Sequence, residues 1–127
     1  MTNEVLNVVF RQKVEILQSI NSAYVQREAL TELSKRIDEP LVKVITGPRR
    51  CGKSTLARQA IAGRSFAYLN FEDDGIASSI SGDEVMTALH QVYGKTDIIF
   101  FDEIQNMDRW EQFIHRLHRE GKNCIVT

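Results

Sequence analysis

Gly47, Pro48, Arg49, Arg50, Cys51, Gly52, Lys53 and Ser54, with Thr55 behind them, carry the densest chemistry-bearing spacing in the chain. They follow the pattern Gly-x-x-x-x-Gly-Lys-Ser, entered from the apolar run "LVKVIT" and left through "TLARQAI". A turn between a strand and a helix points its backbone N–H groups, and those of the first helical turn, at one spot. Gly47 and Gly52 let the backbone fold tightly and come close to an anion. In such a cradle Lys53 reaches terminal phosphates and the Ser54 hydroxyl sits on magnesium. Arg49 and Arg50 contribute backbone amides. Their side chains are open between phosphate, a neighbouring subunit, nucleic acid and solvent. Cys51 is a thiol beside Lys53, which makes it a candidate for oxidation.

A second constellation closes the run "DIIFFDE". Asp102 and Glu103 stand at the carboxyl end of a strand whose apolar continuity reads as buried on both faces. Open α/β sheets bind ligands at such ends. Asp102 is the candidate magnesium residue, acting through water beside Ser54, and Glu103 the candidate that polarises an attacking water. Carboxylates next to phosphates need the metal between them, so the acidic pair and the cradle imply each other. Gln105 and Asn106 either orient water or satisfy loop backbone. His90, His115 and His118 lack a completing ligand, and Trp110 fits a core stripe. Glu72, Asp73 and Asp74 read as a solvated loop. Arg27 faces either a nucleotide base or water. Arg109, Arg116, Arg119 and Lys122 place positive charge on the outer side of the last helix.

The elements that must position these groups follow from periodicity. Residues 5–20 predict a helix with Leu6, Phe10, Val14 and Leu17 on its buried stripe, and residues 26–38 a second with Leu30, Leu33 and Ile37, ended by Pro40. From residue 42 onward strands and helices alternate: "LVKVIT", then 54–61, "SFAYLNF", a helix bearing Val85, Leu89 and Val92, "DIIFFDE", a helix bearing Met107, Trp110, Phe113, Ile114 and Leu117, and "NCIVT". Ser81 with Glu84 and Asp108 with Glu111 predict capping boxes, and Gly121 a helix end. This alternation predicts an α/β fold, a parallel sheet with helices on both faces. The organisation expected is N-terminal helices over 1–40 and a core over 41–127.

Composition narrows the class. The 127 residues suffice for one domain, and 16 basic against 17 acidic residues argue against a nucleic-acid-coating protein while leaving room for a local basic patch. Cys51 and Cys124, without metal-ligand spacing, point to a reducing compartment rather than a disulfide scaffold. No apolar stretch has spanning length and the N-terminus lacks a signal-peptide layout, so a cytoplasmic location without membrane contact is expected.

"KVITGPRRCGKSTLARQ", "YLNFEDD" and "DIIFFDEIQNMDRWEQFIHRL" together resemble the AAA-type P-loop ATPases of bacteria and archaea, in particular the group with an uncharacterised C-terminal domain. The resemblance covers about residues 24–127. It implies a P-loop NTPase core in which Lys53 and Ser54 serve phosphate and magnesium, and Asp102 and Glu103 form the magnesium-coordinating and water-activating pair. It implies ATP and Mg2+ as ligands and hydrolysis to ADP and phosphate in the full-length protein. It places "NCIVT" between the phosphate-loop strand and the acidic strand, with a polar sensor residue directly after it. The stop at Thr127 suggests a core truncated after its fourth strand, impaired by itself, with the phosphate-loop strand an edge open to pairing with another chain. A nucleotide-dependent switch without turnover and a P-loop kinase are the alternatives. Self-association and a protein or DNA partner are open.

Overall fold

The structure is a computed structural model that describes residues 3–19, 33–37, 39, 41–45 and 53–127. In chain order these form α1 (Asn3–Ser19), β1 (Lys43–Val44), α2 (Lys53–Ile61), β2 (Phe66–Asn70), α3 (Gly82–Tyr93), β3 (Ile98–Asp102), a 3-10 turn (Ile104–Asn106), α4 (Trp110–Arg119) and β4 (Cys124–Val126). The strands make one parallel sheet in the order β1-β4-β3-β2. The last strand inserts between the first and third, as the resemblance implied.

Alternation along the strands sorts two apolar layers. Ile98, Phe100, Tyr68 and Ile125 face one side, where Ala57, Ala60 and Ile61 of α2 cover them. Ile99, Phe101, Leu69 and Val126 face the other, under α3 and α4. All five residues of β3 are buried, the outcome predicted for its unbroken apolar run. An aromatic row, Phe71–Phe101–Phe113, joins the residue that follows β2 to β3 and α4 through ring contacts of 5.7 and 5.4 Å.

α1 wraps the β2 edge. Val5, Val8 and Val9 enter the layer beneath α3 and α4, whereas Ile16 enters the layer shared with α2. This corrects the predicted helix face: Phe10, Val14 and Leu17 are exposed at 60, 43 and 55%, and Leu6 is half-buried. Both stripes have helical spacing, and the buried one contains a polar residue, Gln12. Its amide accepts from the Asn70 N–H (2.8 Å) and donates to the Asn70 carbonyl (3.1 Å). The side chain thus replaces a neighbouring strand at the outward-facing peptide of β2.

Helix ends confirm some expectations and correct one. Ser81 Oγ accepts from Glu84 N–H (3.1 Å), capping α3. Gly121, at φ +81°, ends α4 with the paired bonds Gly121 N–H to His118 carbonyl and Lys122 N–H to Leu117 carbonyl, both 3.0 Å. The Asp108–Glu111 box does not form. The chain enters α4 through Arg109 in the left-handed region (φ 60°), whose guanidinium has no acceptor to offer as a cap, and the Asp108 N–H that Glu111 would have accepted donates to the Ser78 carbonyl at 2.8 Å. Leu33 and Ile37 pack into the α2 layer, whereas Arg27, Leu30 and Pro40 lie outside the described residues.

Candidate functional site

The site grows from the carboxyl edge of the sheet. The registers Val44↔Val126 and Phe101↔Val126 put the ends of β1 and β3 at one level, with only β4 between them. Two strand spacings amount to about 10 Å. The chain leaves β1 toward the predicted cradle here, and Asp102 leaves β3 at the same edge. Asp102 continues the Ile98–Phe100 face, the one α2 covers, and α2 begins at Lys53. The helix that carries the cradle's lysine and the carboxylate expected to serve its metal therefore share one side of the sheet.

Asp102 is 3% exposed. The Tyr68 hydroxyl donates to its Oδ2 (2.9 Å) and the Thr127 hydroxyl to its Oδ1 (2.5 Å). Together the two donors fix the plane of the carboxylate. Tyr68 is itself buried, with its ring edge-on to Phe100 at 5.1 Å and the Arg58 guanidinium 6.0 Å from its centre. Burial, and then the Asp102 charge, push its phenol well above the ordinary tyrosine range, so it acts as a neutral donor.

Glu103 leaves the strand in the left-handed region, φ 54° and ψ 45°. Successive strand residues face opposite sides, and this turn releases Glu103 from that alternation. Its N–H donates to the Thr127 hydroxyl (3.2 Å), so one side chain holds both acids in place. Thr127 also clamps the backbone: its N–H donates to the Phe101 carbonyl (3.1 Å) and its carbonyl accepts from Ile104 N–H (3.2 Å). Gln105 Nε2 donates to Glu103 Oε2 (2.5 Å) and Asn106 Nδ2 to the Glu103 carbonyl (3.3 Å). Gln105 thus meets the carboxylate, while Asn106 takes the ordinary role of satisfying loop backbone.

A cavity of about 390 Å³ opens beside Tyr68, lined among others by Gln12, Glu15, Arg58, Asn70 and Glu72. The "EDD" loop next to it is more structured than a solvated stretch. Asp73 pairs with Arg11, and its Oδ1 accepts from Gly75 N–H at 2.9 Å. Gly75 is needed there because a Cβ would come within 2.5 Å of Val8 Cγ2.

Gly47, Pro48, Arg49, Arg50, Cys51 and Gly52 lie outside the described residues, as do the side chains of Lys53, Ser54 and Thr55. The structure brings Asp102 and Glu103 together around Thr127. Tyr68 and Thr127 escaped the sequence reading. Tyr68 sat in a strand as one more aromatic, and its partner is set by a register that one strand does not disclose. Its signal was the placement of a hydroxyl two residues before the end of a strand beside the acidic one.

The family described as AAA domain matches residues 39–127. An uncharacterised protein of Methanocaldococcus jannaschii is 38% identical over 91 residues, covering 68% of this chain and 20% of its own length. An uncharacterised protein of Haemophilus influenzae is 27% identical over 124 residues, covering 84% of this chain and 30% of its own. The chain thus spans under a third of either relative. No solved structure matches it.

Proposed function

The chain belongs to the AAA domain family, whose domains are nucleotide-binding and ATPase-like, and from that premise we propose that it binds ATP with Mg2+ and, within the whole protein, hydrolyses it to ADP and phosphate. The observation that carries this reading is the shared carboxyl edge: β1 ends level with β3, and Asp102 faces the α2 side.

In this reading the 47–55 turn and Lys53 hold the phosphates. Ser54 and Asp102 hold the magnesium ion. The donor set suits it, since hydroxyl and carboxylate are hard oxygen ligands. Both Asp102 oxygens already accept a hydrogen bond, which favours contact through coordinated water over direct ligation. When bound, the metal neutralises charge on the phosphate oxygens. Glu103 takes a proton from the attacking water, and its left-handed turn aims it out of the sheet.

Phosphate release and nucleotide binding by the whole protein test the proposal. Lys53→Ala is expected to lose binding while remaining folded. Glu103→Gln is expected to keep binding and lower release about 10²–10⁴-fold. Undiminished release from Glu103→Gln would remove that residue from its role. A switch that binds without turnover is the second reading, favoured by one observation: Gln105 already occupies the Glu103 carboxylate. Under that reading bound ATP stays intact through prolonged incubation.

A further inference from the structure

A groove of about 550 Å³ lies between the N-terminus of α3 and the length of α4. Arg109, Arg116 and Arg119 line it, against a single lining carboxylate, Asp108. The chain as a whole is close to neutral, so this is a local concentration of one sign.

The arrangement within the groove is electrostatically unfavourable by itself. Arg116 lies against the first residue of α3, where a Cβ on Gly82 would meet its Nη2 at 3.0 Å. A cation there opposes the positive end of the helix dipole. Asp83 offsets this in part, at 3.1 Å from Nη2, and the Phe113 ring holds the guanidinium from below at 5.6 Å. Arg116 is therefore fixed in place rather than swinging in solvent. Arg109 and Arg119 are exposed and make no ion pair or side-chain hydrogen bond among the described residues. Arg109 and Arg119 thus present two guanidinium groups without an ion pair to one open space, beside a helix start whose own charge is already met by Ser81, Asp83 and Glu84.

Shape decides which anion fits. From Arg109 to Arg119 the helix advances about 15 Å. At about 3.4 Å of axis per phosphate on one strand, that length faces several phosphates rather than one. An acidic peptide would need apolar anchors to bind specifically. The apolar residues of the groove, Ile80, Met107 and Phe113, are buried, which leaves mainly arginine, amide and hydroxyl groups to a partner. Guanidinium forks match phosphate oxygens two at a time. We propose that this groove binds the phosphodiester backbone of a nucleic-acid strand, independently of the nucleotide site.

The test is fluorescence anisotropy of a short labelled single-stranded oligonucleotide titrated with the protein, without ATP, over a series of salt concentrations. The paired substitution Arg109→Ala with Arg119→Ala alters only exposed side chains, and circular dichroism verifies the fold. Loss of two phosphate contacts is expected to flatten the log K against log salt slope by about 1.4 and weaken binding at least about tenfold at low salt. The paired substitution Lys95→Ala with Lys122→Ala removes equal charge from exposed positions outside the groove, and is expected to change neither quantity. Absence of oligonucleotide binding by the unaltered protein overturns the proposal. So does an equal loss from both pairs, or displacement of the oligonucleotide by polyglutamate as readily as by unlabelled strand. The altered side chains lie outside the residues proposed for ATP turnover, so failure here leaves that reading standing.

Discussion

Tyr68 and Thr127 give the Asp102 carboxylate its orientation, and each can be removed with little change in shape. Tyr68→Phe keeps the ring against Phe100 and deletes one donor to a buried carboxylate. The expected cost is about 1–3 kcal/mol in urea unfolding, with weaker Mg2+ dependence of nucleotide binding and unchanged metal-free nucleotide affinity. Equal magnesium dependence in both proteins would show that the hydroxyl only supports the fold. Glu103 offers a sharper case, because it holds a left-handed backbone without being glycine. Glu103→Gly is expected to stabilise the protein by about 1 kcal/mol while abolishing phosphate release, a gain and a loss at one position. A lowered thermal midpoint would contradict the strain argument. At this scale the acids were legible in the sequence because their types and position at a strand end are local facts. Their donors were not, because Thr127 lies 25 residues from Asp102 and Tyr68 lies 34.

Among the elements, period and type were readable but the choice of face was not. α1 carries two apolar stripes, and spacing alone cannot rank them. Gln12 makes the true stripe look interrupted, although its amide is satisfied by Asn70. The correction has a measurable form. Val9→Ala is expected to cost about 2 kcal/mol and Phe10→Ser less than about 0.5, the reverse of what the predicted face implies. Chemical denaturation of both variants decides it. Gly82 provides a second contrast. Alanine is ordinarily favoured in a helix, yet a Cβ here would sit 2.4 Å from Phe113 Cδ1. Gly82→Ala is therefore expected to destabilise by about 1–3 kcal/mol through overpacking. The buried β3 strand was legible because a strand covered on both faces has no polar alternation to misread.

For the molecule as a whole, the strand order followed from the resemblance, since the insertion of β4 between β1 and β3 leaves no trace in local pattern. That order buries Cys124 at the sheet's centre, and burial pushes its thiol up to about 12. Burial raises the Tyr93 phenol as well. The unfolded chain loses these protons first as pH rises, so the native state binds more protons in that window. Stability is then fully present below about pH 9; above it the Cys124 share falls, and above about pH 10 the Tyr93 share as well, each by about 1.4 kcal/mol per pH unit. Urea midpoints measured from neutral to alkaline pH are expected to decline in this way, and Cys124→Ser should remove the part due to the thiol.

The Gln12 amide on the Asn70 peptide gives the sheet a direction of growth. One flank is closed by a side chain that imitates a backbone, and a visiting strand would have to displace a helix to dock there. Among the described residues the strand at the opposite flank is β1, where no helix side chain is seen to take this part and Val44 is 58% exposed.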